Sequence, residues 1–169
     1  MAIRDAFLPE FDHEMSTTRK TLERVPEDKA DWKPHDTSMP MGRLAGHVAE
    51  MIGFGNIVFQ GESFDFAPPG AARMQPTTMT SRKQLLEVFD KNVASARAAI
   101  SKASDEDFQK TFTLLNGGKT FFAMPRVQLM RSMILNHVIH HRGQLSVYLR
   151  MNKVAVPSLY GPSGDEGSM

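Results

Sequence analysis

Residues 130–150 read MRSMILNHVIHHRGQLSVYLR, and this stretch decides the fold. Met130, Met133, Ile134, His137, His141, Leu145 and Tyr148 recur at steps of three and four, the period of one helix face. Pro125 precedes them and suits a first helical turn, where its missing N–H would lack a partner anyway. The prediction is a helix over 126–151. The tail from Val156 carries two Pro and three Gly and cannot continue it.

Upstream, Phe108 to Leu115 alternates, Asn116-Gly117-Gly118 supplies positive φ, and Thr120-Phe121-Phe122 follows. That pattern predicts a small β-hairpin. Before it lies a stripe of Leu85, Leu86, Phe89, Val93, Ala96 and Ile100, introduced by Ser81-Arg82-Lys83-Gln84. The tetrapeptide fits a capping box, so a helix is expected over 81–103. Residues 61–80, with Pro68, Pro69, Gly70 and Pro76, read as a long loop that wraps the surface or shapes a site mouth. A further stripe after Pro40, of Leu44, His47, Val48, Met51, Gly55 and Val58, predicts a helix over 40–60 closed by Gly61. Pro26, Trp32 and Pro34 mark an extended connection. Ahead of it Ile3, Phe7, Phe11, Met15, Thr18, Leu22 and Val25 form the first stripe. Pro9 interrupts that stripe, so the regular helix is expected over 8–25. Four amphipathic helices and a minor hairpin make an all-α helix bundle. The long connections leave its topology open.

The chain has 169 residues, about one domain's worth, 41% hydrophobic and 23% charged. Its 20 basic and 19 acidic residues leave a net charge of +1, so nothing argues for nucleic acid or an anionic membrane as partner. No apolar run approaches the ~18 residues of a membrane span, and the N-terminus lacks a signal-peptide core. A cytoplasmic location is the expectation. Cys is absent, which removes disulfides, thiolate ligands and a cysteine nucleophile. Any metal site must use His, Asp, Glu or water.

Three of the six histidines fall on apolar helix faces: His47, His137 and His141. His137 and His141 lie about 40° apart on their helix, one turn above the other. His47 occupies the inward stripe of the second helix, so three nitrogens converge if those helices face each other. Three imidazoles suit zinc, nickel, iron or copper and do not suit calcium or magnesium. Core histidines satisfied by separate hydrogen bonds are the competing reading. His140, about 60° to the other side of His137, is an alternative ligand that spacing leaves open.

The run Asn136-His137-Val138-Ile139-His140-His141-Arg142-Gly143-Gln144-Leu145, followed by Tyr148-Leu149-Arg150, resembles the signature of the DinB family, the damage-inducible DinB/YfiT-like superfamily. Further matches are Asp31-Trp32-Lys33-Pro34, Ser38, Gly42-Arg43-Leu44-Ala45-Gly46-His47-Val48-Ala49-Glu50, Val156-Pro157 and Leu159-Tyr160-Gly161-Pro162-Ser163. In order, they span roughly residues 7 to 166. The resemblance implies a single domain over 1–169, a four-helix bundle of up-down-down-up topology, and a homodimer. It also implies one divalent metal, zinc or nickel foremost and iron next, held by His47, His137 and His141, with His140 as a neighbour. Relatives include bacillithiol transferases and mycothiol-dependent maleylpyruvate isomerase, which activate a low-molecular-weight thiol at the metal. The implied function is metal-dependent thiol S-transfer or hydrolysis on a small-molecule substrate, with an external thiol as a second cofactor. The alternative is a non-catalytic metal- or small-molecule-binding homodimer in a stress or damage response.

Glu50, one turn after His47, and Gln144, near His141, are the candidate catalytic residues. Each has a plainer reading, as a surface carboxylate or a bundle polar contact. Arg142 and Arg150 are expected on outward faces. The 12 Met read as core filler, and Trp32 as packing a loop onto the bundle. The loop at 61–80 and the tail around Tyr160 are candidates to shape the site entrance.

Overall fold

Apolar stripes at helical period become long helices in the computed structural model, which describes residues 1–71, 76, 78, 79 and 81–167. They are α1 (Ile3–Leu22), α2 (Met41–Gln60) and α3 (Arg82–Lys102), followed by a short α4 (Asp105–Gln109). The last helical run joins α5 (Arg126–Leu129), a π-helical turn (Met130–Leu135) and α6 (Asn136–Met151). α1 packs on α3 and α6, and α2 packs on the same two helices. Phe7, Phe11, Leu44, Ile52, Phe89 and Leu145 meet in the resulting core. Among the described residues no helix is long and apolar enough to cross a membrane.

Three helices match the sequence expectation closely. Ser81 Oγ accepts from the Gln84 N–H at 3.1 Å and caps α3, the Ser81 half of the expected capping box. α1 differs: it begins five residues before the expected 8 and holds Pro9 inside. The carbonyl that Pro9 cannot serve belongs to Asp5, and both residues are exposed, so the missing bond falls on the solvent side of the helix. Asp105 Oδ1 accepts from the Ile3 N–H at 2.7 Å and anchors the first turn.

The fold is mostly helical but not all-α, because the hairpin belongs to a three-stranded sheet ordered β1-β2-β3. β2 (Thr111–Asn116) and β3 (Lys119–Pro125) are antiparallel across Gly117 and Gly118, at φ 63° and 76°. β1 (Ser63–Asp65), inside the stretch read as loop, pairs parallel to β2. Its three residues are too short to show alternation. The Asp65 carboxylate accepts from the Gly117 and Gly118 amides at 3.0 and 2.7 Å and ties β1 to the hairpin turn. Phe108, read as the start of the hairpin, instead lies in α4. There Ser104 and Asp107 form a reciprocal capping box and Phe108 is fully buried.

The π turn was not legible either. It inserts into the i→i+4 pattern; around and after it Leu135, Val138 and Arg142 are buried while Met133 and His137 are half-buried. Arg142, expected outward, is inside, 1% exposed, on the face of α6 that it shares with Val138, Leu145 and Leu149. Its guanidinium pairs with Glu14 at 2.7 Å and donates to the Glu14 carbonyl and Thr18 Oγ1, both at 3.2 Å, and to the Tyr160 hydroxyl at 2.6 Å. That hydroxyl donates to the Glu14 carboxylate at 2.9 Å. Arg150 remains half-exposed but holds the tail, through the Ser163 carbonyl at 3.0 Å and Asp165 at 2.6 Å.

Candidate metal centre

His47 on α2 and His137 and His141 on α6 face one another, as the pairing of those helices requires. Each offers one ring nitrogen, and the three nitrogens lie within 4.8 Å of one another, a group that could hold a metal ion. Ring centroids stand 5.3 Å apart for His47 and His137 and 4.7 Å for the two other pairs. His140 is exposed, its ring 4.8 Å from that of His141 and outside the converging group.

Burial pushes the His47 pKa down to about 4, helped by His141, Arg43 and His137. Burial also lowers His137, against an opposing hydrogen bond to the Met133 carbonyl, and His140 adds to the lowering. In His141 burial again dominates, with the hydrogen bond to Gln144 opposing it. All three rings are therefore neutral near pH 7, the form that ligates.

One ring is braced from behind. His141 Nδ1 lies 2.7 Å from Gln144 Oε1. That oxygen only accepts, so the proton sits on Nδ1 and Nε2 carries the lone pair. Such an acceptor orients a ligating imidazole and raises its basicity. Gln144 thus stands behind a ligand candidate, where i,i+3 spacing had already placed it. At His137 the Met133 backbone acts only as an opposing influence on the pKa.

Glu50 is half-buried and pairs with Arg43 at 3.3 Å. Arg43, His47 and Glu50 follow one another at i, i+4 and i+7, so all three share one face of α2. They stand at one end of a cleft of about 780 Å³ between α2, α3 and β1, a volume in the range of small-molecule sites. Phe64 and Pro76, from the loop read as a site mouth, help to line it. Tyr160 does not, being engaged by Glu14 and Arg142. Trp32 packs edge-on against Tyr148, centroids 5.4 Å apart, and so fixes the connection onto α6.

Comparison with known proteins places this geometry in context. The model of the DinB superfamily matches residues 10–145. The uncharacterized protein YrdA of Bacillus subtilis (strain 168) is 25% identical over 166 residues, covering 96% of this chain and 90% of YrdA. YjoA of the same organism, also uncharacterized, is 24% identical over 80% of this chain and 81% of its own. Among solved structures, a DinB-like protein from Bacillus cereus ATCC 10987 superposes with a TM-score of 0.70 at 23% identity, covering 94% of this chain and 98% of that one. The YjoA structure gives a TM-score of 0.66 at 18% identity, over 89% and 94%. These superpositions speak for the fold.

Proposed function

The chain belongs to the DinB superfamily, and from that premise we propose that His47, His137 and His141 hold one divalent transition ion for chemistry on a small molecule. Zinc and nickel are the first choices and iron the next, because all accept three imidazoles. The reaction class is thiol S-transfer or hydrolysis. The observation that carries this reading is the convergence of three neutral ring nitrogens, one of them held from behind by Gln144. A purely structural role is a poor account of such a site, since α1, α2, α3 and α6 already share a large apolar core.

When bound, such an ion supplies Lewis acidity, which favours the deprotonated form of a water or thiol nucleophile. With no Cys in the chain, a thiol nucleophile comes from an external small molecule. Gln144 holds His141 in the ligating tautomer. Glu50, on the cleft wall beside His47, is the candidate proton acceptor, with Arg43 fixing its position. The cleft receives the substrate.

The same reading takes residues 1–169 as one domain and the four long helices as an up-down-down-up bundle, in a cytoplasmic homodimer. The contacts of α1 and α2 with both α3 and α6 support the bundle.

Metal analysis of protein purified without an affinity tag tests the ligand set. His137→Ala is expected to abolish stoichiometric metal, whereas His13→Ala and His35→Ala retain it. Equal retention by both kinds of variant refutes the assignment. Turnover of a panel of thiols, electrophiles and esters should then require the metal. Metal-dependent stabilisation without turnover leaves the non-catalytic binding reading in place.

A further inference from the structure

The cleft beside His47 has a composition unlike its polar end. Its walls are Met51, Phe54 and Ile57 of α2, Phe64 of β1 and Val88 of α3. Phe54 is held edge-on by Phe64 at 5.7 Å and by Phe112 at 6.1 Å, so the aromatic wall is braced on two sides. Among the described lining residues the polar groups are His47, Arg43, Glu50 and Asn92. Arg43 pairs with Glu50 at 3.3 Å. Asn92 donates to the Ala49 carbonyl at 2.9 Å. Its amide fills the space beside Gly53, where an added Cβ would lie 2.9 Å from Oδ1. Gly53 thereby lets the α3 amide rest against α2 and forms part of the cleft wall.

From these features we propose that the cleft binds an uncharged molecule with an extended alkyl or aryl body, its reacting end directed toward His47. The assignment deepens the functional reading above and rests on it for the direction in which the ligand lies. Apolar walls favour a hydrocarbon body by removing it from water. A charged body lying along these apolar walls would be desolvated, with the Arg43–Glu50 pair confined to the end beside His47. His47 belongs both to the histidine group and to the cleft lining, so the two sites are continuous.

The test is a fluorescence titration of metal-free protein with N-phenyl-1-naphthylamine, followed by displacement with 1-butanol, 1-hexanol and 1-octanol. Metal content is measured on the same preparations after reloading. One probe should bind per chain. Alcohol affinity should rise about fourfold per added methylene, and octanoate should compete at least tenfold more weakly than 1-octanol. Val88→Trp, which fills the cleft, should weaken probe binding at least tenfold while retaining the wild-type melting temperature and metal content. Ile57→Asp provides an independent check, with the same loss expected. Probe affinity unchanged in both folded variants, no dependence on chain length, or octanoate binding as well as octanol would each overturn the proposal. Failure to reload metal with cleft binding intact would count against the histidine site alone.

Discussion

Replacing Arg142 by Ala tests the interior charge network. The pair it forms with Glu14 is 2.7 Å long, with side chains 1% and 7% exposed. Removing the guanidinium strands a carboxylate away from water, with the Tyr160 hydroxyl still donating to it. Breaking one partner of a buried pair costs about 3–5 kcal/mol, against a total stability of about 5–15 kcal/mol for a typical protein. At about 2–4 °C per kcal/mol for a chain of this size, the melting temperature should fall by about 6–20 °C. In urea, with a slope near ~2 kcal/mol/M, the midpoint should drop by about 1.5–2.5 M. Arg97→Ala is the control: its bond to Asp12 is 2.8 Å long but nearly half-exposed at both ends, and its loss should cost less than about 1 kcal/mol. Glu14→Leu combined with Arg142→Met should recover most of the loss, because apolar groups of similar volume avoid the desolvation of both charges. Equilibrium urea unfolding followed by circular dichroism measures all four proteins. An Arg142→Ala cost below about 1 kcal/mol, or a double variant as unstable as the single one, would refute the reasoning.

Acid should weaken the metal-free fold, because His47, at about 4, and His137 and His141 all sit below their ordinary value. Stability is then full above about pH 6.5, the unfolded value, and is lost as pH falls toward 4; a flat melting profile from pH 7.5 to 4.5, or one unchanged by His47→Gln, would contradict this. Gln144→Leu should weaken metal affinity about 10- to 100-fold with the fold intact, measured by competition with a chelating dye, since it removes the acceptor behind His141. Asp65→Ala should speed hydrogen exchange at Gly117 and Gly118, whose amides its carboxylate accepts, and should leave exchange in α2 unchanged.

The long helices were legible in the sequence because helical period and the φ limits of Pro and Gly are local properties. Leu44, Val48 and Met51 repeat on one face whatever surrounds them, and Gly117-Gly118 turns the chain on its own. Pro9 shows where that logic overreaches: a rule about helix interiors assumed that the orphaned carbonyl is buried, whereas the exposure of Asp5 decides the matter. In the candidate site, spacing alone brought His137 and His141 together and put Gln144 within reach of His141. It left His140 open, and the resemblance to the DinB family pointed to His141.

What the sequence determined by itself was therefore the helices, the hairpin turn and the short list of nitrogens, all set by chemistry within a few residues. Tertiary structure decided which of those nitrogens meet, since His47 lies 90 residues from His137 by position and their approach depends on α2 packing against α6. It decided the π turn, and it decided that the face of α6 carrying Arg142 turns inward, because the phase of a helix follows the core that it must fill. It also decided β1, a strand of three residues that exists through its pairing with β2 and the reach of Asp65. Each of these depends on contacts between distant segments, and a segment's own residues carry no record of its partner.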